Sequence, residues 1–113
     1  MKQSDILWFL GLADYVATKS KDPSTKCGAV IVNKDTRSVV SLGYNGFPRG
    51  FLDTSERLEN REYKYRHVIH AERNAMIFSN QTYLDDCCIF VTHPPCSGCL
   101  IEMAQRNLKV ALS

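Results

Sequence analysis

The sequence predicts a single α/β domain in which helices flank a mixed sheet, and three features of its 113 residues point that way. A helix-period apolar run opens the chain, two β-rich runs follow with a short polar link between them, and helical and β-rich segments then alternate. A chain of this length can bury one hydrophobic core, and it is small enough for self-association to help its stability.

In the opening run Ile6, Leu7, Leu10, Ala13 and Ala17 recur at helical spacing. Ser4 is placed to cap this helix, and Lys21-Asp22-Pro23 is expected to end it. Cys27-Gly28-Ala29-Val30-Ile31-Val32 and Ser38-Val39-Val40-Ser41-Leu42 are rich in β-formers, and the link Asn33-Lys34-Asp35-Thr36-Arg37 is short enough for an antiparallel hairpin. Gly43-Tyr44-Asn45-Gly46-Phe47-Pro48-Arg49-Gly50 is expected to be loop, by its glycines and proline. Residues 55–66 carry many charges of both signs, which suits a solvated helix or loop face. The run from His70 to Phe78 has no internal glycine or proline and favours helix, so His70 stands at a helix start. Cys88-Ile89-Phe90-Val91-Thr92 is expected to be a strand, and Pro94 and Pro95 block helix upstream of a helical segment over 97–106. Lys109-Val110-Ala111-Leu112 begins another strand, and no repeat, linker or low-complexity segment interrupts the order.

Chemistry concentrates at His70-Ala71-Glu72 and Pro95-Cys96-Ser97-Gly98-Cys99. One imidazole and two thiolates suit zinc, and a tetrahedral ion held by three protein groups keeps its fourth position for water, where a structural site would take another side chain. Cys96 and Cys99 stand three apart at the front of a helix, so their sulfurs share one face of its first turn. Two helix N-termini therefore converge on the metal, and their positive ends favour thiolate over thiol. Glu72 is a carboxylate placed to move protons rather than to ligate. The pattern H-x-E followed by P-C-x-x-C is the recorded signature of zinc nucleobase deaminases, so this is a match to a known motif.

Taken singly, the parts say less. A histidine beside Val68-Ile69 is ordinarily a satisfied core or surface residue, and one C-x-x-C also occurs in redox loops and half zinc-ribbons. A ribbon needs a second knuckle, and Cys87-Cys88 are adjacent rather than spaced for one. Cys27, Cys87 and Cys88 suit buried structural positions, and His67 a non-catalytic one. The odd cysteine count of five, with no signal-like N-terminus and no apolar run near ~18 residues, favours a cytoplasmic protein. The net charge of +2 falls short of the basic stripe that marks polynucleotide binding, which favours a small substrate.

From about Ile6 onward the sequence resembles the deoxycytidylate (dCMP) deaminases of the cytidine deaminase-like superfamily. The resemblance is carried by Ser20-Lys21-Asp22-Pro23, by Cys27-Gly28-Ala29-Val30-Ile31-Val32, by the stretch from Gly43 to Gly50, and by the two motifs around His70 and Cys96. The zinc motifs alone reach only the superfamily, and the G-Y-N-G-x-P-x-G loop is what sets dCMP deaminases apart. The resemblance implies a three-layer α/β/α cytidine deaminase-like fold and hydrolysis of dCMP to dUMP and ammonia, supplying thymidylate synthesis. It implies Zn²⁺ on His70, Cys96 and Cys99, with Glu72 as the proton carrier. It places Asn45 on the sugar, the backbone N–H groups of Ala71 and Cys96 on the pyrimidine, and the loop Ser24-Thr25-Lys26 near the phosphate. The cations that could face that phosphate are Lys26, Arg49 and the basic residues of 57–66.

Members of the family are commonly hexameric, activated by dCTP and inhibited by dTTP, both acting with Mg²⁺. Asn45, Gly46, Phe47, Pro48, Arg49 and Gly50 are expected to form part of that second nucleotide site, since the glycines allow close backbone approach, Phe47 offers a stacking face and Arg49 a charge. A tight surface loop is the plain alternative. The family also continues past the strand near Lys109 with a helix, a strand and often an aromatic residue over the substrate, whereas this sequence stops at Ser113. Either those elements have been cut away or are disordered, or this is a reduced variant with a more open pocket. The first is preferred, because ending within a strand would expose a sheet edge. A deaminase of cytidine or cytosine would share the zinc site without needing the loop, and a non-catalytic zinc-binding interaction module would leave Glu72 unexplained. A polynucleotide-editing enzyme is disfavoured for want of a basic, aromatic-rich groove signal.

Overall fold

A computed structural model describes residues 1–111, so Leu112, the last residue of the expected final strand, lies outside the described residues. The elements run α1 (Gln3–Ala17), β1 (Gly28–Asn33), β2 (Val39–Tyr44), α2 (Ser55–Glu59), α3 (Arg61–His67), α4 (Ala71–Phe78), β3 (Cys87–Val91), α5 (Ser97–Gln105) and β4 (Lys109–Val110). The strands lie in the order β2-β1-β3-β4, with β1 antiparallel to both neighbours and β3 parallel to β4. This is the mixed sheet with an antiparallel hairpin that the sequence predicts.

Alternation along the two central strands builds the layers, because successive side chains point to opposite faces. Val30, Val32, Cys88 and Phe90 pack against Phe9, Ala13 and Val16 of α1. On the other face Ala29, Ile31, Cys87 and Ile89 meet Ala71, Ala75 and Met76 of α4 and Met103 of α5. Adjacent Cys87 and Cys88 thus serve opposite cores, which accounts for their burial without any knuckle. Among the described residues no helix is long and apolar enough to cross a membrane.

Three boundaries differ from expectation. The helix starts at Gln3 with Lys2 as its cap residue, and the Asp5 carboxylate accepts the Lys2 backbone N–H, so Ser4 sits inside the first turn instead of capping it. The helix also ends at Ala17, ahead of Lys21-Asp22-Pro23. Buried Ser20 is the reason: its hydroxyl donates to the Asn45 carbonyl and accepts from the Asp22 N–H, drawing the chain off the helix axis. Residues 55–66, expected as a solvated helix or loop face, include two short helices with no buried residue, each opened by a side-chain cap, Thr54 accepting from the Arg57 N–H and Asn60 from that of Tyr63.

The third boundary positions the site. Gly43 and Tyr44, expected to open a loop, are strand residues of β2. A Cβ on Gly43 would lie 2.5 Å from the Ala75 nitrogen and 2.6 Å from the Ala71 carbonyl oxygen, so only glycine lets α4 settle this close to the sheet. Gly43→Ala is expected to push α4 outward, costing about 1–3 kcal/mol. A urea-unfolding midpoint equal to that of the parent would contradict this packing.

Candidate active site

The site lies where the C-terminal end of β3 meets the start of β1, and loops from both flanks close around it. Thr92 fastens the two strand ends together, its N–H donating to the Gly28 carbonyl and its hydroxyl accepting from the Gly28 N–H. His70 is the N-cap residue of α4 and Cys96 that of α5. The Cys96 sulfur accepts from the Cys99 N–H, so the second helix start organises both thiols.

His70 Nδ1 stands 3.2 Å from the Cys96 Sγ and 3.5 Å from the Cys99 Sγ, and one ligand atom from each of the three residues lies within 4.8 Å of the others. A tetrahedral zinc with bonds of ~2.0–2.3 Å holds its ligand atoms ~3.3–3.8 Å apart, so the three groups fit one such ion. Their type fits too, since imidazole and thiolate both suit zinc. Burial, then the Cys96 and Glu72 side chains beside it, pushes the Cys99 thiol far above the ordinary thiol range. Without a cation the Cys99 thiol keeps its proton, and metal binding must release it. Glu72, in the first turn of α4, is buried with its side chain against Cys99.

His70, Glu72 and Cys96 open into a cavity of about 380 Å³ that Asp22, Ser24, Thr25, Cys27, Asn45, Arg61, Lys64, Tyr65, Val68, Ala71, His93 and Pro94 also line. Such a volume falls in the range of small-ligand sites, ~300–1,000 Å³. Asn45 carries more structural duty than the sequence suggests. Its Oδ1 accepts from the Cys27 N–H at 2.9 Å, while its Nδ2 donates to the Thr25 carbonyl at 2.9 Å and reaches the Asp22 carboxylate at 3.5 Å. Its amide therefore brackets the loop over 22–27 against the cavity floor.

The Asp22 carboxylate anchors the same loop, accepting from the Ser24 and Thr25 N–H groups and from the Lys64 ammonium at 3.0 Å. Burial alone would raise its pKa, but the Lys64 bond, those two backbone bonds and the Lys64 charge outweigh it and hold the carboxyl below its usual range. Its ionised form therefore stabilises the fold above the ordinary carboxylate pKa of ~3.9, and that contribution is lost as acid carries the pH through the lowered value.

Of the expected phosphate-loop residues, Ser24 and Thr25 line the cavity and Lys26 does not, its ammonium donating instead to the Ser20 carbonyl at 2.7 Å. Cys27, expected among the buried structural cysteines, is half-buried and lines the cavity, where burial and then the charges of Glu72 and Asp22 raise its pKa. His67 stays out, stacked on Tyr63 at 4.1 Å. Gly46, Phe47, Pro48 and Arg49 line a separate groove with β2 and α4, whereas Asn45 faces the zinc-motif cavity and Gly50 lines neither hollow. Sequence reasoning missed His93, for which no spacing gives a signal. It named Arg61 and Lys64 only among the basic residues of 57–66 and passed over Tyr65, although the i, i+3, i+4 spacing of the three marks one helix face.

The family described as the cytidine and deoxycytidylate deaminase zinc-binding region matches residues 3–111. A probable deoxycytidylate deaminase of Caenorhabditis elegans is 42% identical over 104 residues, 89% of this chain and 52% of that protein. The human deoxycytidylate deaminase is 36% identical over 107 residues, 90% of this chain and 60% of the relative. This chain therefore spans about half to three-fifths of the length of these curated relatives. A crystal structure of the dCMP deaminase from cyanophage S-TIM5, in complex with dCMP and dUMP, superposes with a TM-score of 0.78 at 28% identity, covering 96% of this chain and 79% of that one.

Proposed function

We propose, for a chain that belongs to the cytidine and deoxycytidylate deaminase family, a zinc-dependent hydrolase that converts dCMP to dUMP and ammonia. The observation that carries this reading is the gathering of His70, Cys96 and Cys99 around one point, with buried Glu72 beside them and a nucleotide-sized cavity in front. The 42% and 36% identities to deoxycytidylate deaminases and the likeness to a structure holding dCMP and dUMP support the choice of substrate.

In the mechanism His70, Cys96 and Cys99 would hold Zn²⁺, which would supply a Lewis acid that lowers the pKa of a water from ~15.7 toward ~7. Glu72 takes a proton from the attacking water and delivers it to N3 of the cytosine. The water oxygen bonds to C4, the C4–N4 bond breaks, and Glu72 passes the second proton to the nitrogen leaving as ammonia, so that the carboxylate is regenerated. The N–H groups of Ala71 and Cys96 face the pyrimidine, and Asn45 meets the sugar while keeping the loop over 22–27 in place. Ser24 lies toward the phosphate, and Lys26 acts there only through the Ser20 carbonyl that it holds.

The same reading includes regulation by dCTP and dTTP with Mg²⁺ at the loop from Asn45 to Gly50, in a cytoplasmic hexamer that feeds thymidylate synthesis. Support comes from the groove of about 810 Å³ lined by Gly46, Phe47, Pro48 and Arg49, which shares no lining residue with the zinc-motif cavity. Ser41 lines that groove with its buried hydroxyl left without a hydrogen-bond partner. Exposed Leu42, Tyr44, Ile77 and Phe78 give the groove the apolar wall that packing between subunits would use.

Ammonia release from dCMP and from cytosine, each with and without dCTP or dTTP, tests both levels. The expected result is turnover of dCMP far above that of cytosine, raised by dCTP and lowered by dTTP at unchanged substrate concentration. Equal turnover of the two substrates would remove the nucleotide assignment, and indifference to both effectors would remove the second site.

A further inference from the structure

We infer that Arg61 is the cation that pairs with the substrate's phosphate, on a face of α3 that the Lys64–Asp22 pair locks against the loop over 22–27; the inference rests on the nucleotide reading above. Arg61, Lys64 and Tyr65 occupy one side of α3 and all line the zinc-motif cavity. The other cations considered for this role are turned away or engaged. Lys26 holds the Ser20 carbonyl, Arg49 lies 4.9 Å over the Phe78 ring in the separate groove, Arg57 lies 5.3 Å over the Tyr63 ring, and Arg66 pairs with Glu62.

Lys64 lines the cavity, but its charge is already matched by Asp22 at 3.0 Å, with the two side chains only 12% and 10% exposed. Arg61 is different: among the described residues it enters no hydrogen bond, ion pair or ring contact. An arginine left free at the wall of a cavity keeps its planar fork available for a bidentate partner such as phosphate.

Hydroxyls complete the subsite. Lys64 donates to the Ser24 oxygen at 3.2 Å, which leaves the Ser24 O–H free to donate, and Thr25 lines the same wall. His70, Glu72 and Cys96 line the same cavity as Arg61, so a nucleotide held in it with its base at these three residues would have its phosphate bound from α3. Lys64 is accordingly a positioning residue, and Arg61 the one that touches substrate.

The test is kcat/KM for dCMP and for deoxycytidine, by ammonia release, in the zinc-loaded parent, Arg61→Ala and Arg61→Lys. Arg61→Ala is expected to lower the dCMP value about 10- to 100-fold, mainly through KM, and to leave deoxycytidine unchanged. Arg61→Lys is expected to recover part of the loss, since it keeps the charge without the fork. If the parent prefers dCMP and Arg61→Ala keeps that preference, the assignment of Arg61 is overturned while the nucleotide reading stands. An equal fall for both substrates overturns it as well, as a general structural effect. A parent that does not distinguish the two substrates overturns both readings together.

Discussion

Glu72→Gln is expected to keep the fold and the metal while turnover falls by ~10²–10⁴-fold, the usual contribution of a positioned acid–base group. The amide preserves size and most hydrogen bonding, so the loss isolates proton transfer. A structural role predicts something else. Removing a negative charge from the first turn of α4 costs only ~0.3–1 kcal/mol of helix stability, which would shift the unfolding midpoint slightly and leave turnover nearly intact. Measuring turnover, zinc content and thermal unfolding on one preparation separates the two. Activity within tenfold of the parent would pass the proton-carrying role to another group, and His93, which lines the same cavity, would be the next to replace.

Cys96→Ala is expected to fail differently, losing zinc and stability together. The parent should bind one zinc per chain, and zinc at a hundredfold excess over its Kd should stabilise it by ~2.7 kcal/mol. The variant should gain far less, because two ligands remain and the Cys96 sulfur no longer accepts the Cys99 N–H at the start of α5. Stoichiometric zinc in the variant after dialysis against a chelator would reject the ligand set. The pH dependence has a definite sign. Cys99 must lose its proton to ligate, so zinc affinity in a chelator competition should weaken as pH falls, by up to about tenfold per unit for each proton released. In the metal-free protein the sign reverses. A thiol with a raised folded-state pKa stabilises the fold fully below the ordinary value of ~8.5, and that contribution is lost as the pH rises through the raised one.

How much of this was legible in the sequence depended on how far apart the interacting residues lie. His70 with Glu72, and Cys96 with Cys99, are local pairs at two helix starts, the second at a spacing that the helix period puts on one face, and the structure brings His70, Cys96 and Cys99 together. The hairpin was legible for the same reason, since Asn33 caps its own turn by accepting from the Asp35 and Thr36 N–H groups. The end of α1 was not, because it is fixed by Ser20 reaching the Asn45 carbonyl 25 residues on. Nor was the Lys64–Asp22 pair, whose partners stand 42 residues apart in a stretch that composition assigns to solvent. Gly43 shows the same limit from the packing side: a glycine beside loop residues suggests a turn, and only the closeness of Ala71 and Ala75 makes it a strand residue.

Gly46 and Ile69 exchange both main-chain hydrogen bonds, at 3.1 and 2.8 Å, in an isolated antiparallel bridge. Ile69 immediately precedes His70, and Gly46 immediately follows Asn45, whose amide grips the loop over 22–27. Gly46 and Ile69 line the groove, while their chain neighbours Asn45 and His70 line the cavity, so one bridge of paired peptide units borders both hollows. A displacement of this bridge would therefore reach both hollows at once.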